Sequence, residues 1–311
     1  MLKRIIIVVS LFFIHTAIFS QNVYETLQMD SLKVGEYNRS FLYHTPANLA
    51  KNPKLVFVLH GSNGSGQLMT MFTEHWFSKL ADEKGDVIVV YPNGYKKHWN
   101  ECRKEANFDA NLLNIDDNTF FEKMIEFFVQ KYQLDEKQVF VVGHSNGGHE
   151  VFKLAKERPA LFQKYVAVSA SLPTPANDDC FASEKPVSIM VINGTGDNIN
   201  PYEGGEVKLP GGAKRGEVLS TEATMQYWAN LAKLDFLTAT RYDFPDIDKE
   251  DGATASQFNV SNKAYDIRLI RVENGGHVLS VPVKVKAPAQ LGKAIQDINM
   301  AQIVFDFFFH Q

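Results

Sequence analysis

The chain has 311 residues, of which 45% are hydrophobic and 22% are charged, and its formal net charge is −4. These values are typical of a globular protein and exclude collagen-like, low-complexity and fully disordered chains. The small net charge provides no broad electrostatic field that would attract nucleic acid or an anionic membrane surface, so we expect no nucleic-acid partner.

The first twenty residues have the pattern of a secretory signal peptide. Lys3 and Arg4 precede an apolar run over residues 5–14, and the small residue Ser20 stands at the expected cleavage site. The run is too short to span a bilayer, which takes about 20 apolar residues. We therefore predict that residues 1–20 are removed and that residues 21–311 are secreted or periplasmic, with no membrane span. An N-terminal anchor that is not cleaved is the alternative.

The rest of the chain alternates between predicted strands and predicted helices. Residues 35–44 alternate weakly and indicate an edge strand or a hairpin arm. Runs rich in β-branched and aromatic residues predict further strands, which lie over residues 54–60, 86–92, 138–143, 165–170, 187–194, 237–243 and 265–272. Amphipathic spacing predicts helices over residues 67–82, from about 118, from the end of 138–143 through 156, over 221–234 and from about 291.

This alternation predicts an α/β fold, a mostly parallel central sheet with helices on both faces. No period of 20–50 residues recurs, which excludes solenoids and propellers. Because no Pro/Ser-rich linker interrupts the series, we predict one domain over residues 21–311. The irregular stretches 94–115 and 198–220 are long for loops and are candidates for a functional rim.

A strand–turn–helix corner at Gly143-His144-Ser145-Asn146-Gly147 has the layout of a nucleophile elbow. The turn is tight, so the residues two positions before and after the serine must be small, and both are glycines, Gly143 and Gly147. It lifts the serine hydroxyl to a helix N-terminus, where the positive end of the helix dipole favours developing negative charge. The short pattern alone is weak, and an inert turn is the alternative. The buried strand before it and the helix after it favour Ser145 as a nucleophile.

A nucleophilic serine needs a base, which follows it in the chain order of this architecture. Of the nine histidines, only His277 and His310 follow Ser145 by more than one helical turn. His310 ends a predicted helix and is more simply a surface residue. His277 lies in a glycine-opened loop directly after the predicted strand 265–272. We therefore predict that His277 is the base.

The acid that orients the base should lie between these two residues, at the carboxyl edge of a strand. Asp197 directly follows the predicted strand 187–194, and neighbouring glycines allow it to turn toward the imidazole. Asp266 begins a strand and so lies at the opposite edge. The remaining candidates are loop residues without this placement, Asp178, Asp179, Asp243 and Asp246. We predict Asp197 as the acid; a simple turn residue is the alternative.

The developing oxyanion needs two backbone donors. The residue after the nucleophile, Asn146, provides one, and we assign the other to the N–H of Ser62 in the glycine-rich turn after strand 54–60. This turn resembles a phosphate-binding loop, but no Lys-Ser/Thr follows it, which excludes a nucleotide site. We interpret His60 as a scaffold residue.

With these segments together, the chain resembles the alpha/beta-hydrolase superfamily, and within it the secreted esterases grouped with polyhydroxybutyrate depolymerases and feruloyl or acetylxylan esterases. The segments that carry the resemblance are LHGSNGSG (59–66), VYPNG (90–94) with HWN (98–100), IDDNTFFEKMI (115–125), VVGHSNGG (141–148), INGTGDNINPYEGG (192–205) and ENGGHVLS (273–280). They follow the order of the family across nearly all of the mature chain.

The resemblance implies the catalytic triad Ser145, Asp197 and His277, in agreement with the order argument. It also implies that Trp99 and Asn100 line the acyl pocket, although core packing is an open alternative for Trp99. His144 and the stretch 203–216 depart from the family pattern and could reshape the pocket.

Cys102 and Cys180 are the only cysteines, so export to an oxidising compartment favours a disulfide between them. Two buried free thiols are the alternative.

We therefore expect a serine carboxylic ester hydrolase that needs no metal and no organic cofactor. Its substrates would be esters of plant polysaccharides, hydroxyalkanoate polyesters or small esters. A serine peptidase of the same superfamily and a non-catalytic binding protein that keeps the fold are the alternatives.

Overall fold

The computed structural model describes residues 27–209, 211–285 and 287–310. The predicted signal peptide, residues 1–20, lies outside these ranges. The strands are β1 (Gln28–Val34), β2 (Tyr37–His44), β3 (Lys54–Leu59), β4 (Val87–Pro92), β5 (Val139–His144), β6 (Lys164–Val168), β7 (Ser188–Gly194), β8 (Gly205–Lys208), β9 (Lys214–Val218), β10 (Thr240–Asp243), β11 (Thr254–Ser261) and β12 (Asp266–Glu273). The α-helices are α1 (Gly66–Phe72), α2 (Trp76–Lys84), α3 (Asp109–Leu112), α4 (Asp117–Tyr132), α5 (Asn146–Glu157), α6 (Thr221–Leu231) and α7 (Met300–Phe309).

Ten strands form one sheet in the order β1-β2-β4-β3-β5-β6-β7-β12-β11-β10. The central strands from β4 to β12 are parallel, and antiparallel strands extend both edges. The predicted α/β fold with a mostly parallel sheet is therefore confirmed. Strands β8 and β9 form a separate hairpin within the stretch that the sequence marks as irregular.

Helices cover both faces of the sheet, which is why its central strands are apolar throughout. One core contains α4, α5 and α6, with Phe121, Phe152 and Trp228 packed against the sheet. The other contains α1, α2 and α7, with Phe77 and Phe305 among its buried residues. The sheet thus packs between two apolar layers. The carboxyl ends of its parallel strands lie at one edge.

The predicted helix over residues 67–82 is two helices in the structure. α1 ends where the Thr73 hydroxyl donates to the carbonyl oxygens of Met69 and Thr70, and Glu74 and His75 then take positive φ angles. A threonine side chain that bonds to the preceding turn competes with helix continuation. The helical spacing of apolar residues continues from α1 into α2, so the sequence pattern does not indicate that the helix is interrupted.

The predicted helix from about residue 291 begins only at Met300. Gly292 has a φ of 81°, which a helix does not allow, and the Asn299 side chain accepts hydrogen bonds from the N–H groups of Ala301 and Gln302. This arrangement is a helix N-cap, and it sets the start of α7.

Candidate active site

Ser145 lies at the tight turn between β5 and α5. Its backbone angles, φ 55° and ψ −120°, are strained for a residue with a side chain. The turn requires glycine on both sides: a Cβ on Gly143 would lie 2.1 Å from the Gly147 carbonyl oxygen, and one on Gly147 would lie 2.6 Å from that of His60. The two glycines therefore allow α5 to approach the sheet closely enough to hold the serine at its edge.

The structure places Ser145, His277 and Asp197 in a hydrogen-bonded chain. His277 Nε2 lies 2.8 Å from Ser145 Oγ, and His277 Nδ1 lies 2.7 Å from Asp197 Oδ2. Asp197 follows β7 and His277 follows β12, and these strands are parallel neighbours in the sheet. Their carboxyl ends therefore bring together two residues that are 80 positions apart in the chain.

Asp197 is held by backbone donors on its other oxygen. Its Oδ1 accepts hydrogen bonds from the N–H groups of Ile199 and Asn200, both at 2.8 Å. Its side chain is only 2% exposed. These bonds fix the carboxylate so that Oδ2 faces the imidazole, which orients the ring and sets which nitrogen carries the proton.

The predicted oxyanion donors lie on either side of Ser145. Asn146 is the first residue of α5, and the first N–H groups of a helix have no partner within it. The loop after β3 packs against the nucleophile, since a Cβ on Gly61 would lie 3.1 Å from that of Ser145. Ser62 follows in this loop and lines the cavity above Ser145. Ser62 thus borders the cavity, and Asn146 directly follows the nucleophile.

Trp99 and Asn100 do not lie where the family resemblance implies. Trp99 is fully buried, and its Nε1 donates to the carbonyl oxygen of His60 at 2.9 Å. The Asn100 side chain donates to Asn114 Oδ1 and to the carbonyl oxygen of Ile115. Neither residue is among those that line the cavity above Ser145, so the structure does not support the prediction that they line the acyl pocket.

The segment around Trp99 supports the site from behind. The Trp99 N–H donates to Asn146 Oδ1 at 2.8 Å, so the loop holds the side chain of the predicted oxyanion residue. Lys153 of α5 donates to the carbonyl oxygen of Asn100 at 2.6 Å. These contacts fasten the loop to α5 at its first residue and about two turns further along the helix.

Three further histidines lie near the site but are held neutral. Burial lowers the pKa of His60 to about 4, and its ring nitrogens face the Gly61 carbonyl and the Gly94 N–H. Burial also lowers the pKa of His144 and of His149 well below the ordinary value, with a smaller contribution from His277 in each. His60 is thus a scaffold residue in the structure, as the sequence indicates.

Cys102 and Cys180 form a disulfide. With Asp178 they are the one cluster among the described residues whose atoms have the spacing of a metal site. Both sulfurs are consumed in the disulfide, and metal ligation by cysteine requires thiolates. The cluster therefore does not fit a metal ion.

A cavity of about 560 Å³ opens above Ser145 and His277. Sequence reasoning missed most of its walls. The sequence predicts a helix over residues 67–82 but assigns it no functional role, and the segment after His277 carries no periodic signal. The wall residues are Leu68, Met71, Phe72, Glu74, Ile199, Leu209, Val278, Leu279, Val285, Ala287, Pro288 and Leu291.

Comparison with known proteins points to one enzyme class. Residues 36–236 match the family model “Esterase”, described as “Putative esterase”. The chain is 23% identical to “Putative esterase NocK” of Nocardia uniformis subsp. tsuyamanensis over 267 residues, 83% of this chain and 75% of that protein. It is 27% identical to feruloyl esterase C of Emericella nidulans over 158 residues, 50% of this chain and 53% of the relative. The chain thus spans only about half the length of that relative.

A solved structure shows the same fold. The acetyl xylan esterase from Aspergillus awamori superimposes with a TM-score of 0.54 at 17% identity, over 81% of this chain and 94% of that chain. At this level of identity the likeness concerns the fold, and it leaves the choice of substrate open.

Proposed function

Because the chain belongs to the Esterase family of carboxylic ester hydrolases and has the alpha/beta-hydrolase fold, we propose that it is a secreted serine esterase acting through an acyl-enzyme. The observation that carries this proposal is the hydrogen-bonded chain in which His277 joins Ser145 Oγ to Asp197 Oδ2. It has the order and the contacts that a serine nucleophile needs for activation.

The mechanism follows from this geometry. Ser145 Oγ attacks the ester carbonyl carbon while His277 Nε2 takes the hydroxyl proton, and Asp197 stabilises the resulting imidazolium. The N–H groups of Ser62 and Asn146 donate to the oxyanion of the tetrahedral intermediate. His277 then gives its proton to the departing alcohol. Water, deprotonated by His277, attacks the acyl-enzyme and releases the acid.

Export is supported by two features of the chain. Residues 1–20 have the signal-peptide pattern, and the Cys102–Cys180 disulfide is typical of oxidising compartments. Within the described residues, every helix is too short or too polar to cross a membrane. We propose that residues 21–311 act outside the cytoplasm as one catalytic domain.

The names of the relatives suggest the range of substrates. Feruloyl and acetylxylan esterases are among them, and the sequence resemblance adds hydroxyalkanoate polyesters. We propose that the substrate is an ester, polymeric or small, and that hydrolysis requires only the residues of this chain and water.

Labelling with a fluorophosphonate tests the proposal. The reagent reacts with an activated serine, so we expect one phosphonylated residue, located at Ser145 by peptide mapping, and loss of labelling after prior denaturation. Absence of labelling in the folded protein would contradict the serine mechanism and favour a non-catalytic binding protein. Cleavage of peptide substrates without ester hydrolysis would favour a peptidase.

A further inference from the structure

The cavity above Ser145 has a polar floor and apolar walls. The floor consists of the catalytic pair Ser145 and His277 with the loop over residues 60–64. Among the described residues that line the cavity, Glu74 is the one acidic or basic side chain apart from the histidines. The hydrogen-bonding groups are thus concentrated where the ester bond would lie.

One wall is the solvent-facing side of α1. Leu68, Met71 and Phe72 line the cavity, whereas Met69 packs into the core on the opposite side of the helix. Met71 is 42% exposed and Phe72 is 59% exposed. Large apolar side chains grouped in this way at a concave surface indicate a binding site rather than random surface composition.

The opposite wall comes from the chain that follows the base. Leu279, Val285, Pro288 and Leu291 line the cavity, and the N–H of His277 donates to the carbonyl oxygen of Leu291 at 2.6 Å. The apolar wall is therefore fastened directly to the catalytic histidine, and a group bound against it would remain close to the reacting carbon.

These walls suit an apolar chain and do not suit a sugar. Sugar hydroxyl groups lose their hydrogen bonds with water when they are buried, and apolar walls offer no replacement. An alkyl chain gains from the same burial. The volume of about 560 Å³ is within the range of small-molecule sites and allows a group much larger than acetyl.

We propose that the site is specific for esters that carry an extended apolar chain, in preference to acetylated or feruloylated polysaccharide. This inference rests on the proposed serine mechanism. It assigns the substrate-binding role to the two cavity walls rather than to Trp99 and Asn100, and the residues concerned are Met71, Phe72, Leu279, Val285, Pro288 and Leu291.

A chain-length series tests the inference. With p-nitrophenyl acetate, butanoate, hexanoate and octanoate, burial of each methylene should raise kcat/KM about fourfold until the cavity is full. Hexanoate has four more methylenes than acetate, so between these two esters we expect an increase of roughly 200-fold. A parallel series of alkyl acetates tells whether the acyl or the alcohol side occupies the cavity, and a preference in either series supports the inference.

Substitution of residues in the α1 wall tests whether the preference for longer chains arises from the cavity. The double variant Met71→Ser/Phe72→Ser should lower the ratio of kcat/KM for hexanoate to that for acetate at least fivefold. The matched control is Leu237→Ser, because Leu237 is 90% exposed and does not line the cavity. It should leave the ratio unchanged.

The outcomes separate this inference from the proposed function. Ester hydrolysis without chain-length preference in either series, faster turnover of acetylated xylan or methyl ferulate than of the hexanoate ester, or an unchanged ratio in the double variant would overturn the inference alone. Loss of all ester hydrolysis together with absence of fluorophosphonate labelling would overturn both.

Discussion

At the scale of single residues, Ser145 has a strained backbone that its surroundings hold in place. A residue held at φ 55° and ψ −120° costs about 1–3 kcal/mol, and the surrounding structure must offset this cost. The close packing of Gly143 against Gly147 and the hydrogen bond from the Ser145 N–H to the Val168 carbonyl oxygen provide that support. The strain presents the hydroxyl group to His277 without blocking the cavity.

The contacts of Asp197 predict the effect of Asp197→Asn. The amide oxygen can still accept from Ile199 and Asn200, but the amide NH₂ would then face His277 and favour the tautomer whose Nε2 carries the proton. That tautomer cannot accept the proton of Ser145. We expect kcat for a p-nitrophenyl ester to fall by roughly 10³–10⁴ while the thermal unfolding midpoint stays nearly the same. A decrease smaller than tenfold would contradict the role of Asp197.

The lowered pKa of His60 predicts that the free energy of unfolding depends on pH. Its pKa is about 4 in the folded protein and about 6.5 in an unfolded chain. As the pH falls from 6.5 to 4, the unfolded state binds a proton that the folded state does not, so the free energy of unfolding decreases. The contribution of this one residue has a slope of up to about 1.4 kcal/mol per pH unit.

His60→Gln should therefore make the decrease shallower across this window, measured by urea denaturation at several pH values. Burial raises the pKa of Glu150, which contributes a slope of the opposite sign, but it does so in both proteins. The difference between them thus isolates His60. Parallel curves for the two proteins would show that the histidine is not buried neutral.

At the scale of elements, the loop around Trp99 and the start of α5 form one supported unit. The Cys102–Cys180 disulfide ties this loop to the segment where Asp178 pairs with Lys156 of α5. Loop, disulfide and helix together hold Asn146, whose N–H is a proposed oxyanion donor. This support could not be predicted from the Trp-Asn motif, because a buried tryptophan and a pocket tryptophan have the same sequence signal.

We expect the Cys102–Cys180 disulfide to make a measurable contribution to the free energy of unfolding. It joins residues 78 positions apart, and closing a loop of this length stabilises a protein by about 2–4 kcal/mol. The variant Cys102→Ala/Cys180→Ala should have a free energy of unfolding lower by this amount in urea. Reduction of the wild-type protein should produce a similar shift, and the variant should not respond to the reductant. Equal free energies of unfolding for the variant and the wild-type protein without reductant would contradict this account.

The elements that sequence reasoning identified are those with an unambiguous pattern. β3, β4, β5 and β7 are buried on both faces, so they appear as continuous apolar runs. β11 has no such run, because half of its residues are only half-buried and polar residues separate the apolar ones, so the sequence does not predict this strand. The hairpin β8–β9 lies in a stretch that the sequence predicts as a loop, since its few residues include charges and glycines.

At the scale of the whole molecule, the parallel sheet explains why chain order could identify three distant residues. Strands that run in one direction place their following loops at one edge, so Ser145, Asp197 and His277 had to be sought after strands β5, β7 and β12. The cavity walls were not predictable in this way. They depend on which side of α1 faces solvent and on the path of the segment after His277, and both are set by tertiary packing.

The most direct test of the account is the turnover of a p-nitrophenyl ester by Ser145→Ala. Removal of one hydroxyl group leaves the packing of the elbow intact, so we expect kcat to fall by roughly 10⁴ or more with little change in the unfolding midpoint. The control is Ser31→Ala, on the outer strand β1, which should retain full activity. Undiminished turnover by the folded Ser145→Ala protein would contradict the assignment of the nucleophile.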